Sequence, residues 1–228
     1  MAPEDDKILY FHNYKKIVFS AASRQEAKSI QKKFNEAKIF LNLNFIPFKP
    51  SNEKVQKFEK KFVFFGRANP HKNIEKIIKG FIKSNLPHDW KLDLFCIDDN
   101  LKYLEMLKNK YLDYKNVRFN TPVFGARKNN IMSRSWANII MSDSEVLSLS
   151  ILECGINGLP TIINLDIEIV KEDKFSPTCK PDEEDIANKI IEVANWSEQD
   201  RYDISIQLKD VYKKYLYKEY DFKEEFKK

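Results

Sequence analysis

Hydrophobic and polar residues alternate along the chain in a pattern typical of short strands separated by amphipathic helices. The clearest helix is predicted over residues 73–84, where apolar side chains recur at i, i+3, i+4, i+7 and i+8: Ile74, Ile77, Ile78, Phe81 and Ile82. Short apolar runs predict strands over 15–19, 39–43, 62–65, 91–97, 117–119, 138–141 and 160–163. This alternation predicts an α/β fold with a Rossmann-like, doubly wound parallel sheet covered by helices on both faces.

The remaining helices follow from start signals and from the gaps between strands. Ser23 and Glu26 have the spacing of a capping box, which predicts a helix from there to Phe34. Further helices are predicted over 100–110, 127–135, 182–194 and 198–217, with a short one between the last two strands. The segment 47–52 contains two prolines and a serine, and it is predicted to be a linker.

Two glutamates, Glu145 and Glu153, stand with seven residues between them in the run 144–160. The pattern places Glu145 in the turn after a strand and Glu153 about one turn into the following helix. Both can then face the crevice in which open parallel sheets bind ligands. An ionised carboxylate only accepts hydrogen bonds, whereas a sugar donates several, so this pair suits a ligand rich in hydroxyl groups.

A second group of polar residues follows the predicted strand 62–65. Gly66 and Arg67 come first, and Lys72 lies just before the predicted helix that begins at Asn73. Free backbone amides and the helix dipole favour an anion at such a place, and two cations there can neutralise a phosphate group. Gly66 would let the backbone approach that anion closely.

Together the two stretches resemble the donor-binding half of retaining GT-B glycosyltransferases, in the family with a Glu-x7-Glu motif. The match covers roughly residues 60–195. The resemblance implies that Glu145 contacts the donor sugar, Glu153 contacts the ribose, and Arg67 and Lys72 hold the diphosphate. It also implies a further set of donor-binding positions: Gly66, Pro122, Val123, Ser148 and Leu149.

The resemblance further implies an activity and a domain division. The expected reaction transfers a hexosyl unit from a nucleoside diphosphate sugar to a glycan or lipid-linked acceptor with retention, in bacterial surface polysaccharide or glycolipid assembly. No cofactor and no metal is expected. Residues 1–52 would be a remnant of the acceptor-side domain and a linker, and residues 53–228 the nucleotide-sugar-binding domain with its C-terminal helices. The alternative is a non-catalytic or degenerate subunit that docks on a separate acceptor-domain chain.

Simpler explanations exist for several of these residues. Glu153 follows Ser150 by three positions, so the two could form a capping box. The two cations and the first glutamate could equally be solvated surface charges. His71 is expected to be a loop residue rather than a general base. Asp98 and Asp99 follow a strand and are expected to form a turn rather than a metal site.

Composition narrows the class of partner. The chain has 228 residues, a hydrophobic fraction of 43% and a net charge of +5. Lysines interleaved with acids indicate a solvated surface rather than a nucleic-acid site, leaving at most a peripheral contact with an anionic membrane. No apolar run approaches the roughly 20 residues that span a bilayer. The acidic segment 1–7 lacks an apolar signal core, so the expected location is cytoplasmic, including the inner face of the membrane.

Two stretches depart from the family pattern or extend beyond it. After the first glutamate many relatives carry Gly-Phe-Gly, whereas this chain has Val146, Leu147 and Ser148. The segment 212–226 carries six aromatic residues among lysines and glutamates. These rings either pack on the donor domain or are exposed and available to a partner.

Overall fold

The computed structural model describes residues 18–21, 24–41, 50, 57–143, 148–164 and 173–213. They belong to two compact units, divided between Asn44 and Phe45. The first unit contains β1 (Val18–Ala21), α1 (Arg24–Lys33) and β2 (Lys38–Leu41), and its two strands pair in parallel. Within this unit the rings of Phe19 and Phe34 stack with their centroids 5.1 Å apart.

The second unit is a five-stranded parallel sheet with helices between the strands. Its strands are β3 (Glu59–Arg67), β4 (Lys91–Ile97), β5 (Val117–Asn120), β6 (Ser135–Ile140) and β7 (Thr161–Ile163). The α-helices that lie wholly within its described residues are α2 (Ile74–Lys83), α3 (Leu101–Lys110), α4 (Gly125–Arg134), α5 (Leu149–Ile156), α6 (Glu183–Ala194) and α7 (Glu198–Tyr212). The α/β class and the parallel sheet predicted from the sequence are confirmed.

Both faces of the sheet are buried, as the strand β3 shows. Phe62 and Phe64 join the larger hydrophobic cluster with residues of α2, α3 and α6, whereas Val63 and Phe65 join another with residues of α4 and α5. A strand buried on both sides has apolar residues in succession, which is why this run is continuous rather than alternating. The α2–α6 contact is close at Gly80, where a β-carbon would lie 2.3 Å from Ile186 Cγ2.

The order of the strands is β5-β4-β3-β6-β7, so the sheet reverses its direction of growth at β3. The chain first builds outward from β3 through β4 to β5, and then returns to place β6 on the other side of β3. Such a reversal opens a crevice outside the carboxyl ends of the two strands that flank it. In this protein those ends are Arg67 of β3 and Ile140 of β6.

At the other end of the strands, α7 packs against the amino end of β6. Arg201 of this helix is fully buried and donates to three backbone carbonyls: Trp136 O at 2.6 Å, Gly158 O at 2.9 Å and Ser135 O at 2.9 Å. Its guanidinium lies 4.1 Å from the centroid of the Phe58 ring. Burial lowers the pKa of Arg201 to about 9, so the side chain remains a cation at neutral pH. These bonds fix α7 against the amino end of β6.

The last residue of α7 is also buried. Tyr212 donates through its hydroxyl to Asp173 Oδ2 at 2.6 Å, and its ring packs where a β-carbon on Gly155 would lie. Tyr212 therefore packs on the domain itself, which is one of the two alternatives for the aromatic segment. The other five aromatic residues of that segment lie outside the described residues.

Several boundaries differ from those predicted. The strand β6 begins at Ser135 rather than 138, and α4 ends directly before it at Arg134. Ser135, Trp136 and Ala137 are buried in the sheet, so a helical pattern could not continue through them. The strand predicted over 15–19 is observed as Val18–Ala21, and most of the predicted linker 47–52 lies outside the described residues. Among the described helices, none has the length and apolar character needed to cross a bilayer.

Candidate functional site

The exit of β3 forms the first wall of the crevice. β3 ends at Arg67, after which Ala68 N donates to Ile97 O at 2.8 Å and keeps the chain beside β4. A short 3-10 turn follows over Pro70–Lys72, and the side chain of Asn69 accepts from His71 N at 3.1 Å. The helix α2 begins at Ile74. Arg67 and Lys72 therefore lie between a strand end and a helix start, as the sequence predicted.

Arg67 is held loosely by a carboxylate from the neighbouring strand end. Its Nη1 lies 3.8 Å from Asp99 Oδ1, and its side chain is 65% exposed. Asp99 also accepts from Asn69 Nδ2 at 2.9 Å. Asp99 thus belongs to the turn after β4 and orients neighbouring side chains. No group of acidic, histidine or cysteine side chains suitable for a metal occurs among the described residues.

The exit of β6 is joined to the same loop by hydrogen bonds. Asn73 Nδ2 donates to Asp143 Oδ1 at 2.6 Å and to Met141 O at 2.7 Å. Asp143 N donates to His71 O at 2.9 Å, and His71 Nδ1 lies 3.4 Å from Asp143 Oδ2. The bond from Asn73 is the main cause that lowers the pKa of the Asp143 carboxyl. Glu145 follows two positions later and lies outside the described residues.

The helix α5 forms the third wall and carries Glu153. The residue before its first turn is Ser148, and Ser150 is already helical, so the capping-box explanation for Glu153 is wrong. Ser150 instead donates to Phe65 O at 3.2 Å, which ties the start of α5 to the end of β3. Glu153 is the fifth residue of the helix and only 9% exposed.

Lys128 of α4 is the partner of Glu153, and sequence analysis missed it. Its ammonium donates to Glu153 Oε2 at 2.5 Å, and the two side chains are only 15% and 11% exposed. The same ammonium lies 5.4 Å from the centroid of the Phe65 ring. This contact fixes one carboxylate oxygen of Glu153. Nothing in the sequence distinguishes Lys128 from the many other lysines, because the pairing joins helices 25 positions apart.

The segment after β5 places its residues differently from one another. Pro122 is exposed, whereas Val123 is 7% exposed and packs with Phe65 and Phe95, whose rings stack 4.9 Å apart. Because the Val123 side chain belongs to the core, a ligand could meet this residue through its backbone. Phe124, which precedes α4, is 67% exposed.

The remaining donor-binding candidates, Ser148, Leu149 and Gly66, also differ in exposure and packing. Ser148 is half-buried and its side chain makes no capping bond to the helix, and Leu149 is 49% exposed at the start of α5. A β-carbon on Gly66 would lie 2.9 Å from Phe64 Cζ. Packing against Phe64 therefore accounts for the glycine without any ligand.

The carboxyl ends of parallel strands lie on the same side of a sheet, so residues that are far apart in the chain are brought to that side. The exit of β3 supplies two cations, and α5, which starts beside that exit, supplies Glu153. The cations suit a group such as a phosphate, and the carboxylate suits hydroxyl groups.

A model of the family described as glycosyl transferases group 1 matches residues 45–205. The chain belongs to this family. The matched range includes β3 to β7 and the helices from α2 to the middle of α7. No protein among those with curated descriptions matches the sequence significantly.

Several solved structures with the same fold are GT-B glycosyltransferases. The pneumococcal O-GlcNAc transferase GtfA, in complex with UDP and GlcNAc, has a TM-score of 0.69 and 14% identity, over 87% of this chain and 42% of GtfA. A variant of S. aureus TarM, in complex with UDP, fondaparinux and α-GlcNAc-glycerol, has a TM-score of 0.72 and 18% identity, over 92% of this chain and 43% of TarM.

A third structure matches over almost its whole length. It is the C-terminal domain of LpcC, a glycosyl transferase group 1 protein from Francisella tularensis. Its TM-score is 0.61 and its identity 19%, over 76% of this chain and 97% of that domain. The chain therefore spans less than half of GtfA and TarM, whereas 76% of it covers nearly all of the LpcC domain.

Proposed function

We propose that this chain is the donor-binding part of a glycosyltransferase. In this proposal a hexosyl unit passes from a nucleoside diphosphate sugar to a hydroxyl group of a glycan or lipid-linked acceptor, with retention at the anomeric carbon. Membership of the glycosyl transferases group 1 family supports glycosyl transfer. UDP in the neighbouring GtfA and TarM structures supports a nucleotide sugar as donor.

The observation that carries the proposal is the buried carboxylate of Glu153 at the carboxyl edge of the sheet. Lys128 occupies Oε2 of this carboxylate, and no described side chain bonds Oε1. A carboxylate fixed in this way is an acceptor for hydroxyl groups of the donor ribose. The start of α5 is bonded to the end of β3, so this acceptor lies beside the exit that carries Arg67 and Lys72.

The two cations act on the leaving group in this proposal. When the bond between the anomeric carbon and the diphosphate oxygen breaks, negative charge develops on that oxygen. Arg67 and Lys72, beside the start of α2, stabilise this charge as it forms, which is often the largest single contribution to catalysis. Positive charge from these side chains takes the place that a divalent metal has in other transferases, so we propose no metal.

The rest of the donor contacts follow the walls of the crevice. Glu145, which follows β6 in the sequence, orients the donor sugar in this proposal. Gly66, Ser148 and Leu149 border the diphosphate and sugar, and Pro122 and Val123 meet the nucleobase through their backbone. Acceptor-binding groups are proposed to come from a separate domain or chain, since GtfA and TarM extend well beyond the part matched here.

Calorimetric titration with UDP, GDP and their sugar conjugates tests the donor site. We expect saturable binding to at least one nucleoside diphosphate, weakened about tenfold or more by Glu153→Gln, which corresponds to about 1.4 kcal/mol or more. Glu183→Gln is the matched control, because Glu183 also pairs with a lysine, Lys79 at 2.8 Å, but lies on α6 with its side chain 44% exposed. Absence of binding to every nucleoside diphosphate would contradict the proposal.

A further inference from the structure

Asn73 is unusual in the use of its side chain. Its φ is 50° and its ψ is 35°, a left-handed conformation that asparagine adopts more readily than most residues, and its backbone N–H donates to Pro70 O and ends the 3-10 turn. It also occupies the position before α2, where an asparagine usually caps the helix, yet it makes no capping bond. Its amide instead donates to Asp143 Oδ1 and to Met141 O. Glycine would relieve the backbone but would lose both bonds.

Asp143 is equally unexpected beside a proposed diphosphate site. A carboxylate there repels an anionic ligand, and its side chain is 56% exposed. The carboxylate nevertheless accepts from Asn73 at 2.6 Å, and its own backbone amide donates to His71 O at 2.9 Å. These hydrogen bonds connect the turn Pro70–Lys72 to the residues that follow β6. We call the group formed by His71, Asn73 and Asp143 the clasp.

The clasp continues a chain of hydrogen bonds across three adjacent strand ends. Asp99, after β4, accepts from Asn69 Nδ2, and Asn69 Oδ1 accepts from His71 N. From His71 the clasp then reaches Asp143, after β6. The turn that carries Lys72 is thus held from both sides, and its position depends on side chains rather than on the sheet alone.

We propose that Asn73 and Asp143 are positioning residues for the diphosphate of the donor, an inference that rests on the proposed function. The clasp holds the turn Pro70–Lys72 against the exit of β6. Lys72 is therefore held in a fixed position relative to Asp143 at the exit of β6. Because the Asn73 side chain bonds to Met141 O and Asp143, the first-turn amides of α2 are left without a side-chain cap from this residue. Uncapped amides at a helix start favour an anion.

Selective loss of diphosphate affinity is the measurable consequence. Asn73→Gly keeps the left-handed backbone and removes both amide bonds. We expect it to raise the Kd for the bound nucleoside diphosphate about tenfold, and to leave the Kd for the corresponding nucleoside monophosphate within about twofold, since that ligand lacks the second phosphate. Asp143→Ala should show the same selectivity. The Kd of the double variant for the diphosphate should be no higher than that of the single variant with the higher Kd, because both substitutions disrupt the same hydrogen-bonded group.

The chain offers a matched control at the other end of the same helix. Asn85 also has a left-handed backbone, with a φ of 47°, and follows α2 at the opposite edge of the sheet. Asn85→Gly should leave both affinities unchanged. Asp143→Asn removes the charge but keeps an acceptor for Asn73, so it should retain or improve diphosphate affinity. Loss of affinity in Asp143→Asn equal to that in Asp143→Ala would overturn the positioning role.

Three further results would also decide the inference. If the native chain binds a nucleoside diphosphate and Arg67→Met weakens that binding, but Asn73→Gly does not, then the clasp inference is overturned and the proposed function stands. If Asn73→Gly weakens the monophosphate and the diphosphate equally, its effect is general and the inference is overturned. If the native chain binds no nucleoside diphosphate, the proposed function fails, and the inference fails with it.

Discussion

Two arginines at opposite ends of the strands of the same sheet have contrasting surroundings. Arg201, at the amino end of β6, is fully buried and donates to three backbone carbonyls, and no carboxylate of the described part of the chain pairs with it. Arg67, at the carboxyl end of β3, has a side chain that is 65% exposed, and among the described residues its carboxylate partner, Asp99, lies 3.8 Å away. The first uses its donors to join α7 to the sheet. The second keeps most of its five donors in solvent, where a ligand can reach them.

The contrast extends to the residues around each arginine. Around Arg201 the fold itself satisfies the charge, so this side chain stabilises structure and has little to offer a ligand. Around Arg67 the polar side chains bond mainly to one another across strand ends, through Asn69 and Asp99. Charge alone therefore does not indicate a binding site. An exposed cation at the reversal of the strand order is the better candidate for one.

Replacement of Arg201 by methionine should have the largest effect. Arg201→Met leaves three carbonyls at the edge of the sheet without their donor, and each unsatisfied buried group costs about 1–3 kcal/mol. We expect the free energy of unfolding to fall by roughly 3–6 kcal/mol, measured from urea denaturation with a fitted m-value. A loss below about 1 kcal/mol would show that the carbonyls find other partners and that the comparison is overstated.

The same substitution at Arg67 should reverse the pattern. Arg67→Met removes an exposed side chain, so the free energy of unfolding should change by less than about 0.5 kcal/mol. Nucleoside diphosphate affinity should fall by about 10- to 100-fold, the range expected for a lost hydrogen bond to a charged group. Urea denaturation and calorimetric titration of the two arginine variants side by side measure both quantities. If Arg67→Met lowered the free energy of unfolding but kept native affinity, Arg67 would be a structural residue like Arg201.

The smallest effect is expected at the start of the helix that carries Arg201. Ser197 and Asp200 form a capping box, and the bonds from Ser197 lower the pKa of the Asp200 carboxyl. Ser197→Ala should cost about 1 kcal/mol at pH 7. As the pH falls below about 4, Asp200 is protonated in the unfolded chain before it is protonated in the folded chain. The stabilisation from the bonds between Ser197 and the Asp200 carboxylate is therefore lost on acidification. The difference between native and Ser197→Ala stabilities should therefore shrink at pH 3, and a constant difference would contradict this account.

Much of the fold could be predicted because its signals are local. The five apolar residues of α2 and the apolar strands on either side of it are legible from spacing, and the observed elements lie within a few residues of the predictions. Boundaries failed where packing decided them, as at Ser135, which starts a strand directly after a helix. A polar first residue such as Ser135 does not belong to the apolar run of its strand, so the sequence does not show that it is buried.

Less of the candidate site could be predicted, and the roles of its residues stay predictions. Arg67 and Lys72 were found because they follow a strand and precede a helix, which the sequence shows directly. Lys128 was missed, because its contact with Glu153 joins two helices through space. The link between Asn73 and Asp143 spans 70 positions and has no sequence signal, since it depends on two strand ends that lie side by side.

The sequence by itself therefore determined the elements, the α/β class and the candidate residues at the strand ends, because spacing and apolar runs are properties of neighbouring positions. The tertiary structure decided which of those residues meet. The order β5-β4-β3-β6-β7 brings the exits of β3 and β6 together, and that adjacency pairs Asn73 with Asp143. It also decided which cations the fold itself satisfies, because burial and access to free carbonyls depend on how the layers pack.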